Sequence, residues 1–111
     1  MKYALLVYTN GEEFQSITAE EREAISREYF AIRDEPGCYD GAHLQPAETA
    51  TTVRVQDGET LTTDGPFADT KEVFGGYYLF ELDNLDSALA VAARVPAARF
   101  GGSVEVRPVA E

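Results

Sequence analysis

Runs of apolar residues in this chain switch between a period of two and a period near 3.6, and the switches mark out its elements. Residues 2–8 are almost continuously apolar with Tyr3 and Tyr8 among them, and Asn10-Gly11 ends the run, as expected for a buried strand. Thr18-Ala19-Glu20-Glu21 then has the capping-box pattern, in which the Thr hydroxyl accepts from the third backbone N–H while the Glu reaches back to the cap. A helix over 18–34 follows. Ile25, Tyr29 and Ile32 recur along it as one apolar stripe, while Glu20, Glu21, Glu23, Arg27 and Glu28 make up the polar remainder. Glu35-Pro36-Gly37 stops it. Residues 38–44 read as a short strand entering a break at Gln45-Pro46. Residues 51–56 and 59–63 are β-branched runs joined by Asp57-Gly58, the strongest short hairpin signal, and a two-residue turn puts Arg54 opposite Leu61 and Thr52 opposite Thr63. A lone hairpin is marginal in water, so this one is expected to lean on a larger sheet or on another subunit.

Residues 62–76 join the Thr-rich strand to an aromatic one and concentrate turn formers and chemistry: Asp64, Gly65-Pro66, Phe67, Asp69, Lys71-Glu72 and a closing Gly75-Gly76. Asp64-Gly65-Pro66 is turn chemistry, and Asp69 followed by Glu72 three residues later fits the start of a helical turn. Residues 77–82 form the aromatic strand. Asp83, Asn84 and Asp86 offer caps for a second helix whose face would be Leu85, Ala88, Leu89 and Ala92, with Val95-Pro96 as its end. Beyond Gly101-Gly102, residues 104–108 alternate, Val104 and Val106 one way and Glu105 and Arg107 the other. The order β, α, β, hairpin, β, α, β predicts a single α+β domain over 1–111, ferredoxin-like βαββαβ with an inserted hairpin and both helices on one face of an antiparallel sheet. The other face, rich in Tyr and Phe, would be costly in water at about 25 cal/mol per Å², so a homodimer that pairs the two sheets is expected.

Composition narrows the partners. The apolar fraction of 44% and aromatic fraction of 11% fit a packed core, and no apolar run reaches the ~20 residues of a membrane helix. The N-terminal segment lacks a small-residue cleavage site, which points to a strand, not a signal peptide, and to a cytoplasmic protein. Nine Lys and Arg against twenty Asp and Glu give a formal charge of −11, which repels nucleic acid and anionic membranes. Many of the acids crowd residues 12–35, where they read as a solvated helix face. One Cys, Cys38, and one His, His43, leave no disulfide and no His- or Cys-rich metal site, so no metal is assigned. Neither a dinucleotide fingerprint nor a phosphate loop is present, so no cofactor is expected.

Candidate chemistry centres on residues 62–76. Asp64 is the candidate general base, with His43 as a second catalytic candidate. Arg54 and Lys71 are candidates for holding an anionic group of a substrate or a developing oxyanion, and Phe67 for walling an apolar pocket. Each has a plainer role beside it: Asp64 as a turn residue, His43 as a structurally bonded histidine, Arg54 lying over the ribbon, Lys71 solvated.

The run Asp64-Gly65-Pro66-Phe67-Ala68-Asp69-Thr70-Lys71-Glu72, followed by Gly75-Gly76-Tyr77-Tyr78, resembles the signature of the DGPF branch of the YCII-related family. The flanks Thr49-Ala50-Thr51-Thr52-Val53-Arg54 and Glu105-Val106-Arg107-Pro108 are similar to that family's flanks. The resemblance implies a dimeric α/β barrel, two ferredoxin-like sheets back to back, with a pocket between sheet and helices or at the dimer seam. Some YCII relatives are small-molecule enzymes that use a His-Asp pair, and DGPF members are often encoded near extracytoplasmic-function sigma factors. Gly65-Pro66 matches the Gly-Pro that follows a strand in those relatives. The helix over 18–34 has no His where they place the dyad histidine, and His43 is not at that position. Two functions follow as expectations: binding or transforming a small organic molecule near the DGPF loop, or a non-enzymatic regulatory role in association with such a sigma factor.

Overall fold

The structure, a computed structural model, describes residues 1–11, 16–66 and 70–111. Four antiparallel strands form one sheet: β1 (Lys2–Asn10), β2 (Cys38–His43), β5 (Glu72–Glu81) and β6 (Ser103–Pro108), in the order β2-β5-β1-β6. Helices α1 (Ala19–Arg33) and α2 (Leu85–Arg94) are its crossovers, and β3 (Thr51–Gln56) with β4 (Glu59–Asp64) form a separate two-stranded sheet. This is the ferredoxin-like α+β arrangement expected from the order of elements.

Each helix starts where its cap dictates. Thr18 accepts from the Glu21 N–H at 3.1 Å while the Glu21 carboxylate reaches back to the Thr18 N–H, the full capping box. Asn84 caps α2 through the Ser87 N–H at 2.9 Å. The apolar stripe of α1 packs as the spacing requires, with Ile25 and Ile32 buried and Tyr29 half-buried. In α2 the buried set is Ala88, Val91 and Ala92, followed by Val95, while Leu85 and Leu89 are exposed. The expected face is thus rotated. Residues 88–93 of this helix are all apolar, so periodicity underdetermines its facing, and the small residues let the helix sit close on the sheet.

The core lies between the helices and one face of the sheet: Tyr3, Leu5 and Val7 of β1, Tyr78 and Phe80 of β5, Ile32, and the α2 set with Val95 and Ala97. Val104 and Val106 pack against its edge. The Tyr78 hydroxyl donates to the Tyr29 carbonyl at 2.8 Å, tying β5 to α1. Arg94 grips Glu35 with two bonds of 2.5 and 2.7 Å, linking the ends of the two helices.

Strand β5 begins at Glu72, five residues before the aromatic run. The helical turn expected at Asp69 to Glu72 does not extend into the described part, since Glu72 is already paired with Asn10, and Asp69 lies outside the described residues. Gly75-Gly76 do not close a loop either. They sit inside the strand, where Val7 faces Gly76 and Tyr8 faces Phe74, so Gly75 is the extra residue of a β-bulge. Gly76 must be glycine because a Cβ there would meet the Ala42 carbonyl oxygen at 2.6 Å.

Ala4, Leu6 and Tyr8 alternate to the other face of the sheet, with Leu79, Tyr77 and Phe74 opposite them in register. Tyr8 and Phe74 meet edge to face at 5.6 Å. Both helices lie on the opposite side, and the molecule, 45 × 41 × 18 Å, is only a helix layer and a sheet thick. The hairpin has the expected register, Arg54 opposite Leu61 and Thr52 opposite Thr63, through a turn with φ of 49° at Asp57 and 80° at Gly58. It does not lean on the larger sheet: Val53, Val55 and Leu61 are exposed, as is nearly all of both strands. No helix among the described residues is long and apolar enough to cross a membrane.

Candidate ligand pocket

A cavity of about 620 Å³ opens between α1 and the sheet. One wall is the sheet-facing side of α1, where Arg22, Ile25, Ser26, Tyr29, Phe30 and Arg33 recur at helical spacing. The floor is sheet: Val7 and Thr9 of β1, Val73 to Tyr78 of β5, and Ala42-His43 of β2. Residues 44–47 form the rim. That rim is held by the Leu44 N–H donating to the Gly75 carbonyl at 2.9 Å, and by a 3₁₀ turn, Ala47–Thr49, in which the Thr49 hydroxyl donates to the Pro46 carbonyl at 2.7 Å.

The hollow follows from the sequence of β5. On the core side, Tyr78 and Phe80 fill the space beneath the helices, but the next position toward the start of the strand is Gly76, between Val7 and His43. Without a side chain there, β5 offers α1 no side chain to pack on at that level. Phe30 therefore stays exposed at the mouth, as does Leu44. Volume and lining match the usual small-molecule site, a mainly apolar hollow with a few polar groups.

Of the site residues expected from sequence, His43 lines this pocket. Asp64 and Arg54 are exposed on the hairpin and are not among its lining residues. Asp64, the last residue of β4, pairs with Thr51. The following Gly65, at φ 101°, closes the base of the hairpin: its N–H donates to the Ala50 carbonyl at 2.7 Å and its carbonyl accepts from the Thr52 hydroxyl at 2.9 Å. Lys71 lines a second, shallower recess of about 580 Å³ with Tyr8, Thr70 and Glu105. Phe67 lies outside the described residues. The structure therefore places His43, Lys71 and the hairpin residues Asp64 and Arg54 at three different locations. It brings to the pocket instead Arg22, Ser26 and Arg33, which a solvated reading of the acidic helix passes over; their spacing of four and seven residues beside Ile25 and Tyr29 was the available signal.

Burial shifts the ionisation of Tyr29 and Tyr78, which line the pocket, and of Cys38 at the start of β2. It pushes the Tyr78 phenol far above its usual 10.0, with smaller raising contributions from Tyr29 and Cys38 and an opposing one from Arg33. Burial likewise raises the Tyr29 phenol, against a lowering effect of the Ala97 backbone. The Tyr29 hydroxyl has no hydrogen-bond partner of good geometry. The Cys38 thiol is raised by burial too, which suits a packing residue, not a nucleophile. No cluster of His, Cys, Asp and Glu among the described residues is arranged to hold a metal ion.

Comparison with known proteins identifies similar sequences. The model of the YCII-related domain matches residues 1–111. An uncharacterized protein of Rhizobium meliloti (strain 1021), R00369, is 39% identical over 115 residues, covering 99% of this chain and 93% of the relative.

Proposed function

Because the chain belongs to the YCII-related family, we propose that it binds or transforms a small organic molecule in the pocket between α1 and the sheet. The observation that carries this reading is the pocket itself, a largely apolar hollow of about 620 Å³ floored by Gly76 and reached by one imidazole. His43 carries an imidazole, which can both accept and donate a proton, so any acid–base step in the pocket falls to it. Asp64 and Arg54 join such a step only where the hairpin of a second copy delivers them, because proton transfer needs hydrogen-bond reach.

The same reading includes a homodimer. Ala4, Leu6, Tyr8, Phe74, Tyr77 and Leu79 form an apolar centre on the sheet face without helices, and a second sheet stacked there would cover it.

The test is a metabolite screen by thermal shift on wild type and on Ser26→Trp, which places an indole in the pocket from the exposed helix side. Hits that stabilise wild type and lose their effect in Ser26→Trp support the site. Hits that bind both proteins equally place the ligand elsewhere and defeat the reading. His43→Ala separates binding from turnover: binding kept with product formation lost marks His43 as the proton carrier.

A further inference from the structure

We infer that the ligand of this pocket is a small organic anion, a carboxylate carried on an apolar body. The inference rests on the proposal that the pocket is the ligand site, and it comes from the distribution of charge. Acids make up 20 of the 111 residues, so twenty residues taken at random would include about three or four. The twenty described residues lining this pocket include none, and they include Arg22, Arg33 and His43. Among its described residues, a chain of net charge −11 thus places no carboxylate on this concave surface and two of its nine Lys and Arg residues.

Helix α1 makes this segregation. Arg22 and Arg33 are eleven residues apart, three turns, so they lie on one face about 16 Å apart at 1.5 Å per residue. Between them on that face come Ile25, Ser26, Tyr29 and Phe30, while the acids Glu20, Glu21, Glu23 and Glu28 fall off the lining. Glu28 instead pairs with Arg99. The helix therefore presents a guanidinium at each end of an apolar strip. Since α1 turns directly into β2, His43 at the far end of that strand lies toward the Arg22 end.

The charge of Arg33 also reaches inward: it opposes the rise that burial imposes on the Tyr78 phenol and the Cys38 thiol. A carboxylate held by a guanidinium gains a charge-assisted bond of fork geometry. An apolar wall beside it lowers the local dielectric and strengthens that attraction. A cation entering the same hollow would meet two guanidinium groups and no described carboxylate. A neutral ligand would offer the Arg33 guanidinium no counter-charge.

The experiment compares 2-naphthoate with 2-naphthamide, which share an apolar body and differ in charge, by calorimetry and by NMR of the His43 ring on the full-length protein. The expected result is that naphthoate binds at least tenfold more tightly than the amide, moves the His43 ring signals, and loses at least tenfold on Arg22→Gln or Arg33→Gln. Raising salt should reduce this preference. Equal affinity for the two probes overturns the anion inference and leaves the pocket reading standing. Binding of both probes unchanged in Ser26→Trp, or of neither probe to wild type, overturns both. Loss of naphthoate binding in an arginine variant counts only where its urea midpoint equals that of wild type; Arg22→Lys and Arg33→Lys, which keep the charge, should restore part of it.

Discussion

Replacing Gly76 by Ala should damage the protein at one identifiable place. Gly76 is buried between Val7 on β1 and His43 on β2. An added Cβ would stand 2.6 Å from the Ala42 carbonyl oxygen, a backbone atom with no side-chain freedom to retreat. Because β2 is the edge strand of the order β2-β5-β1-β6, it is the element that can move. Its outward shift would strain the pairing of Ala42 and His43 with β5 and the Leu44 bond to Gly75. Overpacking of this kind costs about 1–3 kcal/mol. For a domain of this size that is roughly 4–12 °C in melting temperature. Gly75 supplies the control. Its added Cβ would meet only the Thr9 side chain, at 3.5 Å, and the Val7 carbonyl at 4.0 Å, all ordinary contacts. Gly75→Ala should lie within about 1 kcal/mol of wild type, and a gain is possible because Ala restricts the unfolded chain. Urea unfolding of the three proteins at one fixed concentration gives the midpoints. Since β2 carries His43, Gly76→Ala should also move the His43 ring signals and Gly75→Ala much less. A Gly76→Ala midpoint equal to that of wild type, or an equal loss in both variants, would refute the close-approach argument.

Four further outcomes are expected. Tyr78→Phe removes the hydroxyl that donates to the Tyr29 carbonyl at 2.8 Å and should cost about 0.5–1.5 kcal/mol by urea unfolding. Burial raises the Tyr29 and Tyr78 phenols above 10.0, so the folded state favours their neutral forms; that contribution is complete below pH 10 and is lost as pH rises through the higher folded values. In an alkaline titration followed at the phenolate band, those two of the six tyrosines should ionise late and together with unfolding, one of them disappearing in Tyr78→Phe; six tyrosines ionising near pH 10 in a folded protein would contradict this. Gly58→Ala forces an L-residue to φ 80° with open space around it, which costs on the order of 1–2 kcal/mol. Because the hairpin is its own sheet, the loss should appear as faster amide exchange over 51–64 with the global midpoint little changed, and an equal fall of both would show the hairpin to be part of the main cooperative unit. Leu79→Lys, on the sheet face without helices, should convert a dimer to a monomer in light scattering, whereas a wild type already monomeric at low micromolar concentration would defeat the back-to-back assembly.

Local signals made the elements legible. The capping box at Thr18, the Asp57-Gly58 turn and the hairpin register each depend on residues within a few positions of one another, and the structure forms them as expected. The start of β5 was illegible because its first half is Glu72, Val73, Phe74 and two glycines, a stretch whose strand character comes from pairing with β1, not from its own composition. The facing of α2 was illegible for the opposite reason: apolar residues surround it, and only tertiary packing selects Val91 over Leu85. The candidate site suffered from proximity in sequence. Asp64 and Lys71 are seven residues apart, yet one ends the hairpin and the other precedes β5 beside a different recess. Arg22 and His43 are twenty-one apart and share a pocket, because a helix followed by an antiparallel strand folds the chain back on itself.

The pocket and the Gly75-Gly76 pair have a common origin. A sheet that packs two helices normally fills the layer between them with large side chains, as Leu5, Tyr78 and Phe80 do under α2 and the last turn of α1. Under the middle and first turns of α1, β5 offers a glycine on the core side, a bulged glycine beside it and then Val73, while β2 offers Ala42 and His43. A Leu or Phe at position 76 would close the hollow, but the 2.6 Å approach of β2 forbids even a methyl group there. Close pairing of β2 and the presence of a cavity are therefore one constraint seen from two sides. α1 is held over the gap by contacts at other points: the Tyr78 hydroxyl bond to Tyr29, the Arg94 grip on Glu35 and the Arg99 pair with Glu28. Exposed ion pairs contribute little each, so the buried Ile25 and Ile32 and the Tyr78 bond supply most of the hold.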